Sequence, residues 1–62
     1  MPLVNIKLLE GRTVEQKREM VEKVTQAVVE STGASSESVL IVIEDMPKHH
    51  FAKAGTLMSD LK

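Results

Sequence analysis

Residues 2–9 read PLVNIKLL and residues 39–43 read VLIVI, and these two stretches decide the fold. Apolar side chains recur at every second position of the first stretch, which is the period of a β-strand with one buried face. These positions are Val4, Ile6 and Leu8. The second stretch is continuously apolar and β-branched except for Leu40, which is typical of a strand buried on both faces. We predict a strand at each stretch, and Pro47 ends the second.

The segment between the two strands shows the sequence pattern of one helix. Thr13 and Gln16 have the spacing of a capping box, in which the Thr13 hydroxyl is the N-cap. Gly33 stands where helices commonly end in a left-handed residue. We therefore predict a helix over residues 14–32.

The predicted helix has one apolar stripe, which should pack on the strands. At helical spacing this stripe consists of Met20, Val21, Val24, Ala27 and Val28. Val29 lies off the stripe, and the charged residues, Lys17 among them, fall mostly on the solvent side.

The order of the elements predicts how they connect. A strand–helix–strand crossover makes the two strands parallel. The tail, from Lys48 to Lys62, reads as a loop plus a short strand or hairpin. We predict an α+β fold, a short β-α-β protomer with parallel strands and a C-terminal hairpin, in a single domain over residues 1–62.

The short chain cannot bury a large core. It has 62 residues and no cysteine, and a chain of this size buries only roughly 60% of its unfolded surface. One helix covers one face of a two-stranded sheet, so the other face stays bare and unstable in water. That face carries Leu3, Leu9, Leu40 and Val42. The sequence therefore predicts a symmetric assembly of several copies.

Charge and hydropathy exclude several classes of protein. Eight Lys and Arg stand against nine Asp and Glu, for a net charge of −1, whereas a general nucleic-acid binder carries a basic excess. No apolar run approaches the ~20 residues that span a bilayer. Residues 1–9 lack the basic start and cleavage site of a secretory signal. We expect a soluble cytoplasmic protein that binds neither nucleic acid nor membrane.

Few residues could carry chemistry. His49 and His50 are adjacent, so they rarely aim at one metal ion, and no third ligand is spaced nearby; we predict no metal site. Phe51, the single aromatic residue, is either a core residue or one wall of an apolar pocket. Arg12 precedes the helix N-cap, where it either extends into solvent or helps the helix N-terminus attract an anion.

Pro2 is the most informative position. It could be an ordinary strand-start residue, where its missing N–H costs nothing. If Met1 is removed, however, the chain begins with a secondary amine. An α-amino group titrates near 7.7–8.0, and a base with a pKa near the working pH is suited to moving protons.

The motifs together resemble the 4-oxalocrotonate tautomerase (2-hydroxymuconate tautomerase) family, and the resemblance covers essentially the whole chain. They are Pro2, LEGR at residues 9–12, TVEQK at 13–17, VIEDM at 42–46, and HF at 50–51 followed by Gly55. The resemblance implies a β-α-β protomer assembled as a homohexamer (a trimer of dimers), and an isomerase that uses no metal or organic cofactor.

The resemblance also implies roles for individual residues. Pro2, after loss of Met1, would act as general base and then general acid, moving a proton in the enol–keto pairs of 2-hydroxydienoates and 2-oxo acids. Arg12 would bind a substrate carboxylate, and Phe51 would line an apolar pocket. The backbone around Leu9 would lie beside the substrate. In the best-known members a second arginine begins the second strand; here Leu40 occupies that substrate-binding position, so a broader tautomerase is expected.

Strand geometry adds a constraint of its own. Pro2 and Arg12 lie at opposite ends of one strand, and seven residues put those ends roughly 20 Å or more apart. They cannot meet one substrate within a single chain. They can meet if the first strands of two protomers run antiparallel across a dimer.

Two other functions stay open. The same amine, if protonated, could favour hydration or dehalogenation of an acrylate in a related proline-based enzyme. Alternatively, the chain could be a non-catalytic homo-oligomeric binding protein, which the leucine at position 40 would suit.

Overall fold

The computed structural model describes residues 1–61; Lys62, the last residue of the predicted tail, lies outside them. The main elements are β1 (Leu3–Leu9), α1 (Val14–Thr32), β2 (Leu40–Met46), β3 (Ala52–Lys53) and β4 (Thr56–Leu57). Single 3₁₀ turns lie at Ser36–Ser38, Lys48–His50 and Met58–Asp60. No helix within residues 1–61 is long and apolar enough to cross a membrane.

Strands β1 and β2 form a parallel pair, which confirms the predicted crossover topology. Leu3 pairs with Leu40 at one end, and Leu9 pairs with Met46 at the other. β2 continues to Met46, three residues beyond the predicted apolar run, because the ladder with β1 continues past the last apolar residue. Pro47 follows directly, and its missing N–H ends the ladder as predicted.

Helix α1 has the predicted bounds and the predicted caps. The Gln16 N–H donates to the Thr13 hydroxyl over 3.1 Å, and the Thr13 N–H donates to the Gln16 side chain over 2.9 Å. At the other end Gly33 adopts φ 78°, and its N–H donates to the Val29 carbonyl. Only glycine takes this left-handed conformation without strain, so Gly33 ends the helix.

The buried side of α1 differs in part from the predicted stripe. Ala27 is exposed, and Val29 is half-buried, so the placement of both was wrong. Lys17 and Met20 near the start of α1 are half-buried. From Val21 onward the half-buried positions are Val21, Val24, Thr25, Val28 and Val29. They have the spacing i, i+3, i+4, i+7 and i+8 of a helix face, and Ala27 lies roughly a third of a turn away from the centre of that face.

The sheet is covered on one side only. Ile41 and Ile43 of β2 are half-buried, whereas Leu40 and Val42 are each 44% exposed. The prediction that β2 is buried on both faces is wrong for the single chain, because α1 packs on one face alone. The predicted bare face is confirmed for Leu3, which is 66% exposed, and for Leu40 and Val42, whereas Leu9 is half-buried.

The chain is a flat plate without an enclosed core. No residue in the range 1–61 is fully buried. The Cα radius of gyration is 14.7 Å, whereas a compact chain of this length would have about 11 Å. The accessible area is 4919 Å², against about 4000 Å² for a compact protein of this mass. This is the shape of a subunit that completes its core with other copies.

The tail forms the predicted hairpin. Ala52 pairs with Leu57 and Lys53 with Thr56 in an antiparallel ladder. The two turn residues, Ala54 and Gly55, both have positive φ, at 54° and 83°, as the tight turns of two-residue hairpins require.

Candidate active site

The amino end of the parallel sheet brings Pro2 and Leu40 together. The Leu40 N–H donates to the Pro2 carbonyl over 2.9 Å, and Leu3 lies opposite Leu40 in the ladder. Pro2 is half-buried, whereas Met1 is 91% exposed. The Pro2 backbone is therefore held by the sheet, while the residue that precedes it extends into solvent.

The carboxyl end of the sheet holds Leu9 and Arg12. Leu9 is the last residue of β1 and is half-buried. The loop of residues 10–13 then turns the chain into α1, and Gly11 in it has φ 117°, a conformation that side-chain-bearing residues rarely adopt. Arg12 is exposed, and none of the ion pairs within residues 1–61 involves it. Its guanidinium is thus free to bind an anion.

Arg12 lines a cavity of about 300 Å³ between β1 and the start of α1. The cavity is lined by Leu8, Arg12, Gln16, Lys17, Glu19 and Met20. Two of these side chains already have charged partners, since Lys17 pairs with Asp45 and Glu19 pairs with Lys23. Arg12 is the lining residue whose charge has no such partner.

Phe51 joins the 3₁₀ turn after β2 to the C-terminal hairpin. It is half-buried, and its carbonyl accepts a hydrogen bond of 2.8 Å from the Met58 N–H. That bond holds the two ends of the hairpin together around the aromatic residue. Along the chain, Phe51 comes shortly after the carboxyl end of β2, and Leu9 ends β1 at that same edge of the sheet.

Within one chain, four of the predicted site residues lie in two groups at opposite ends of the sheet. Pro2 and Leu40 lie at the amino end of the strands, and Leu9 and Arg12 lie at the carboxyl end. The seven residues of β1 separate these ends by roughly 20 Å or more. The cavity that Arg12 lines does not include Pro2.

The Lys17–Asp45 ion pair was not predicted, because Lys17 was placed on the solvent side of the helix. The structure has Lys17 half-buried, with its ammonium 2.5 Å from an Asp45 carboxylate oxygen. A signal was present: Lys17 lies three residues before Met20 and four before Val21, so it shares the packed face of the helix.

The rings of His49 and His50 contact each other. Their ring centroids are 4.3 Å apart in an edge-to-face arrangement. Within residues 1–61, no group of three or more His, Asp or Glu side chains could hold a metal ion.

Comparison with known proteins identifies the family. Residues 2–61 match the family described as "Tautomerase enzyme". The chain belongs to the tautomerase family. Over all 62 residues it is 58% identical to the 2-hydroxymuconate tautomerase of Bacillus subtilis (strain 168), with both chains covered completely. The predictions of the family and of an isomerase of the keto–enol type are confirmed.

Solved structures of tautomerase relatives have the same fold. YwhB, a homologue of 4-oxalocrotonate tautomerase, superposes with a TM-score of 0.95 at 57% identity, covering 98% of this chain and 100% of that one. A heterohexamer 4-oxalocrotonate tautomerase from Chloroflexus aurantiacus gives a TM-score of 0.93 at 31% identity, with both chains fully covered. The predicted β-α-β protomer is therefore confirmed for this tautomerase.

Proposed function

We propose that this tautomerase interconverts the enol and keto forms of 2-hydroxydienoates and 2-oxo acids, with Pro2 as the proton carrier. The observation that carries the proposal is the 58% identity, over both whole chains, to a 2-hydroxymuconate tautomerase. The position of Pro2, half-buried at the amino end of the sheet, supports it, because a base must be both held in place and accessible to substrate.

Pro2 acts after Met1 has been removed. Its secondary amine then accepts the proton of the substrate's 2-hydroxyl group as general base. The oxygen electrons form the keto C=O bond, the conjugated double bond shifts, and the protonated amine returns the proton to a carbon of the former diene. One O–H bond breaks and one C–H bond forms, so the amine is regenerated. A base whose pKa lies near the working pH suits both steps.

Arg12 binds the substrate carboxylate and comes from a neighbouring copy of the chain. β1 has one free edge, since the two-stranded sheet has the order β1–β2. Antiparallel pairing of two β1 edges places the Pro2 end of one copy beside the Arg12 end of the other. The charge of Arg12 has no partner within residues 1–61, which leaves its guanidinium available for a bidentate contact with a carboxylate.

Three further residues complete the proposed site. The backbone at Leu9 lies beside the substrate, and Phe51 supplies an apolar wall that shields the amine from water. Leu40 donates its N–H to the Pro2 carbonyl. Its side chain is apolar, so it cannot bind a second carboxylate of the substrate as an arginine at this position would. The site therefore accepts small carboxylates more broadly than a site with two arginines.

The active assembly is proposed to be a homohexamer, a trimer of dimers. The relative from Chloroflexus aurantiacus, at 31% identity, is a heterohexamer, and the bare sheet face of this chain needs cover. The partner molecule is a small carboxylate substrate, and the cytoplasm is the proposed location.

The test is the ketonisation of 2-hydroxymuconate, followed by ultraviolet absorbance, with protein whose intact mass shows that Met1 is absent. A rate that falls by at least about 100-fold in Pro2→Ala, with the assembly unchanged, supports a proline-based tautomerase. A matched sample that retains Met1 should be as inactive as the variant, because an amide nitrogen is not a base. Full activity of either sample contradicts the role of Pro2. An assembled wild-type protein without any rate favours a hydratase, a dehalogenase or a binding protein.

A further inference from the structure

The β1–α1 loop, residues 10–13, holds Arg12 between two anchored ends. On the strand side, the Glu10 N–H donates to the Met46 carbonyl over 3.0 Å. On the helix side, Thr13 is fixed by its capping box with Gln16. Arg12 itself is exposed, so the position of its guanidinium depends on how the start of α1 is held against the end of β2.

One side-chain contact joins those two elements directly. Lys17 lies in the first turns of α1, and Asp45 is the penultimate residue of β2. Their 2.5 Å contact spans 28 positions of sequence. Within residues 1–61 it is the one side-chain hydrogen bond between α1 and the sheet.

This ion pair is better shielded than the others on the helix. The Lys17 and Asp45 side chains are 25% and 42% exposed, whereas the Arg18–Glu15 pair is 70% and 81% exposed, with 3.9 Å between the charged groups. Fully exposed pairs contribute little because water and salt screen them. The Lys17–Asp45 pair therefore restrains the fold, while the Arg18–Glu15 pair remains a solvent-facing contact.

We propose that the Lys17–Asp45 pair positions Arg12 for the substrate carboxylate. The inference rests on the proposed function, in which Arg12 binds that group. Lys17 and Arg12 line the same cavity, so the pair acts in two ways. It fixes the start of α1 against β2, which fixes the loop, and it neutralises Lys17 so that the anion is directed to Arg12. Lys17 and Asp45 are thus positioning residues.

The first test is Lys17→Met, assayed with 2-hydroxymuconate. We expect kcat/KM to fall by about fivefold, which corresponds to the upper end of the contribution of a partly exposed ion pair, with most of the change in KM. Lys17→Arg, which keeps both charge and hydrogen bond, should restore most of the loss. The control is Arg18→Met, which removes one positive charge at the next position of the same helix and should leave KM unchanged.

A second pair of variants separates positioning from direct binding by Lys17. In Asp45→Asn the Lys17 ammonium loses its partner: positioning predicts a higher KM, whereas a direct ligand, once freed, would lower it. In the Arg12→Ala background, positioning predicts that Lys17→Met has no further effect, because the residue acts through Arg12. A lower KM in Asp45→Asn, or the full fivefold loss in the Arg12→Ala background, overturns the inference.

Assembly and binding are measured alongside the rates. Sedimentation velocity shows whether each variant assembles. If Lys17→Met fails to assemble, the KM of Asp45→Asn tests the positioning role in its place. Calorimetry with cis,cis-muconate, a dicarboxylate that lacks the reacting hydroxyl, should show several-fold weaker binding to Asp45→Asn than to wild type. If the wild-type enzyme is active and depends on Pro2, but Asp45→Asn has unchanged muconate binding and unchanged KM, the positioning role is refuted and the proposed function stands. A wild-type protein without Pro2-dependent activity refutes the proposed function instead.

Discussion

Replacement of Val42 by glutamate tests whether the bare sheet face is the assembly surface. Val42 lies in the middle of β2, opposite Asn5 in the ladder, and is 44% exposed in the single chain. Leu3 and Leu40, at 66% and 44% exposed, lie on the same face. If copies of the chain cover this face, Val42→Glu places a carboxylate in an apolar interface without replacing any proposed site residue.

The expected cost follows from the exposed fractions. Complete burial of a Leu or Val side chain contributes about 1.5–3 kcal/mol, so covering what remains exposed of these three residues contributes about 2–5 kcal/mol per chain. Val42 accounts for about 1 kcal/mol of this. The unpaired buried carboxylate adds a penalty of several kcal/mol. We expect the dissociation constant of the assembly to rise by at least about 100-fold.

The assay is sedimentation velocity at micromolar concentration, with the ketonisation rate measured on the same samples. Val14→Glu is the control, because Val14 is 57% exposed but begins α1, where a carboxylate is favoured by the helix dipole. The control should remain assembled and active. Val42→Glu that stays assembled shows that the sheet face is not the interface. Val42→Glu that sediments as a monomer yet keeps full activity refutes the placement of Pro2 and Arg12 on different copies, whereas an active dimer joined through the free β1 edges agrees with it.

The remaining predictions concern the site and the helix ends. Arg12→Ala should lower kcat/KM for a dicarboxylate by about one to two decades, since a hydrogen bond to a charged group contributes about 1.5–3 kcal/mol; an unchanged rate in steady-state kinetics would contradict its role. Gly33→Ala should lower the free energy of unfolding by about 1 kcal/mol per chain in urea titrations, because φ 78° is strained for alanine. The added methyl group meets no atom within 4 Å, so a much larger loss would contradict a purely conformational cost. Thr13→Ala should cost about 1 kcal/mol in the same titration by removing the N-cap, and Thr13→Ser should restore it.

The elements whose causes are local were predictable from short stretches of sequence. The bounds of α1 follow from Thr13, Gln16 and Gly33, which satisfy or terminate the helix's own hydrogen bonds. The end of β2 follows from Pro47, which lacks an N–H. In each case the residue that decides the boundary lies within a few positions of it, so no tertiary contact is needed.

The elements whose causes are distant were predicted only in part. Ala27 was assigned to the packed stripe and Val29 outside it, because Val24 and Val28 belong to two overlapping stripes. One stripe includes Ala27 and the other includes Val29, and the sheet decides which of them packs. Lys17 was assigned to solvent, because the carboxylate that it contacts is 28 positions away in sequence. Likewise, the apolar run of β2 indicated a fully buried strand, although one helix can cover only one of its faces.

The sequence by itself determined the helix and its caps, the parallel β-α-β order, the family through Pro2 and the LEGR motif, and the need for further copies of the chain. These depend on local backbone chemistry, on apolar periodicity and on the small size of the core. Only the tertiary structure decided which face of α1 packs, that Lys17 pairs with Asp45, and that the Leu40 N–H donates to the Pro2 carbonyl. Those depend on which side chains meet through space, and no spacing along the chain specifies that.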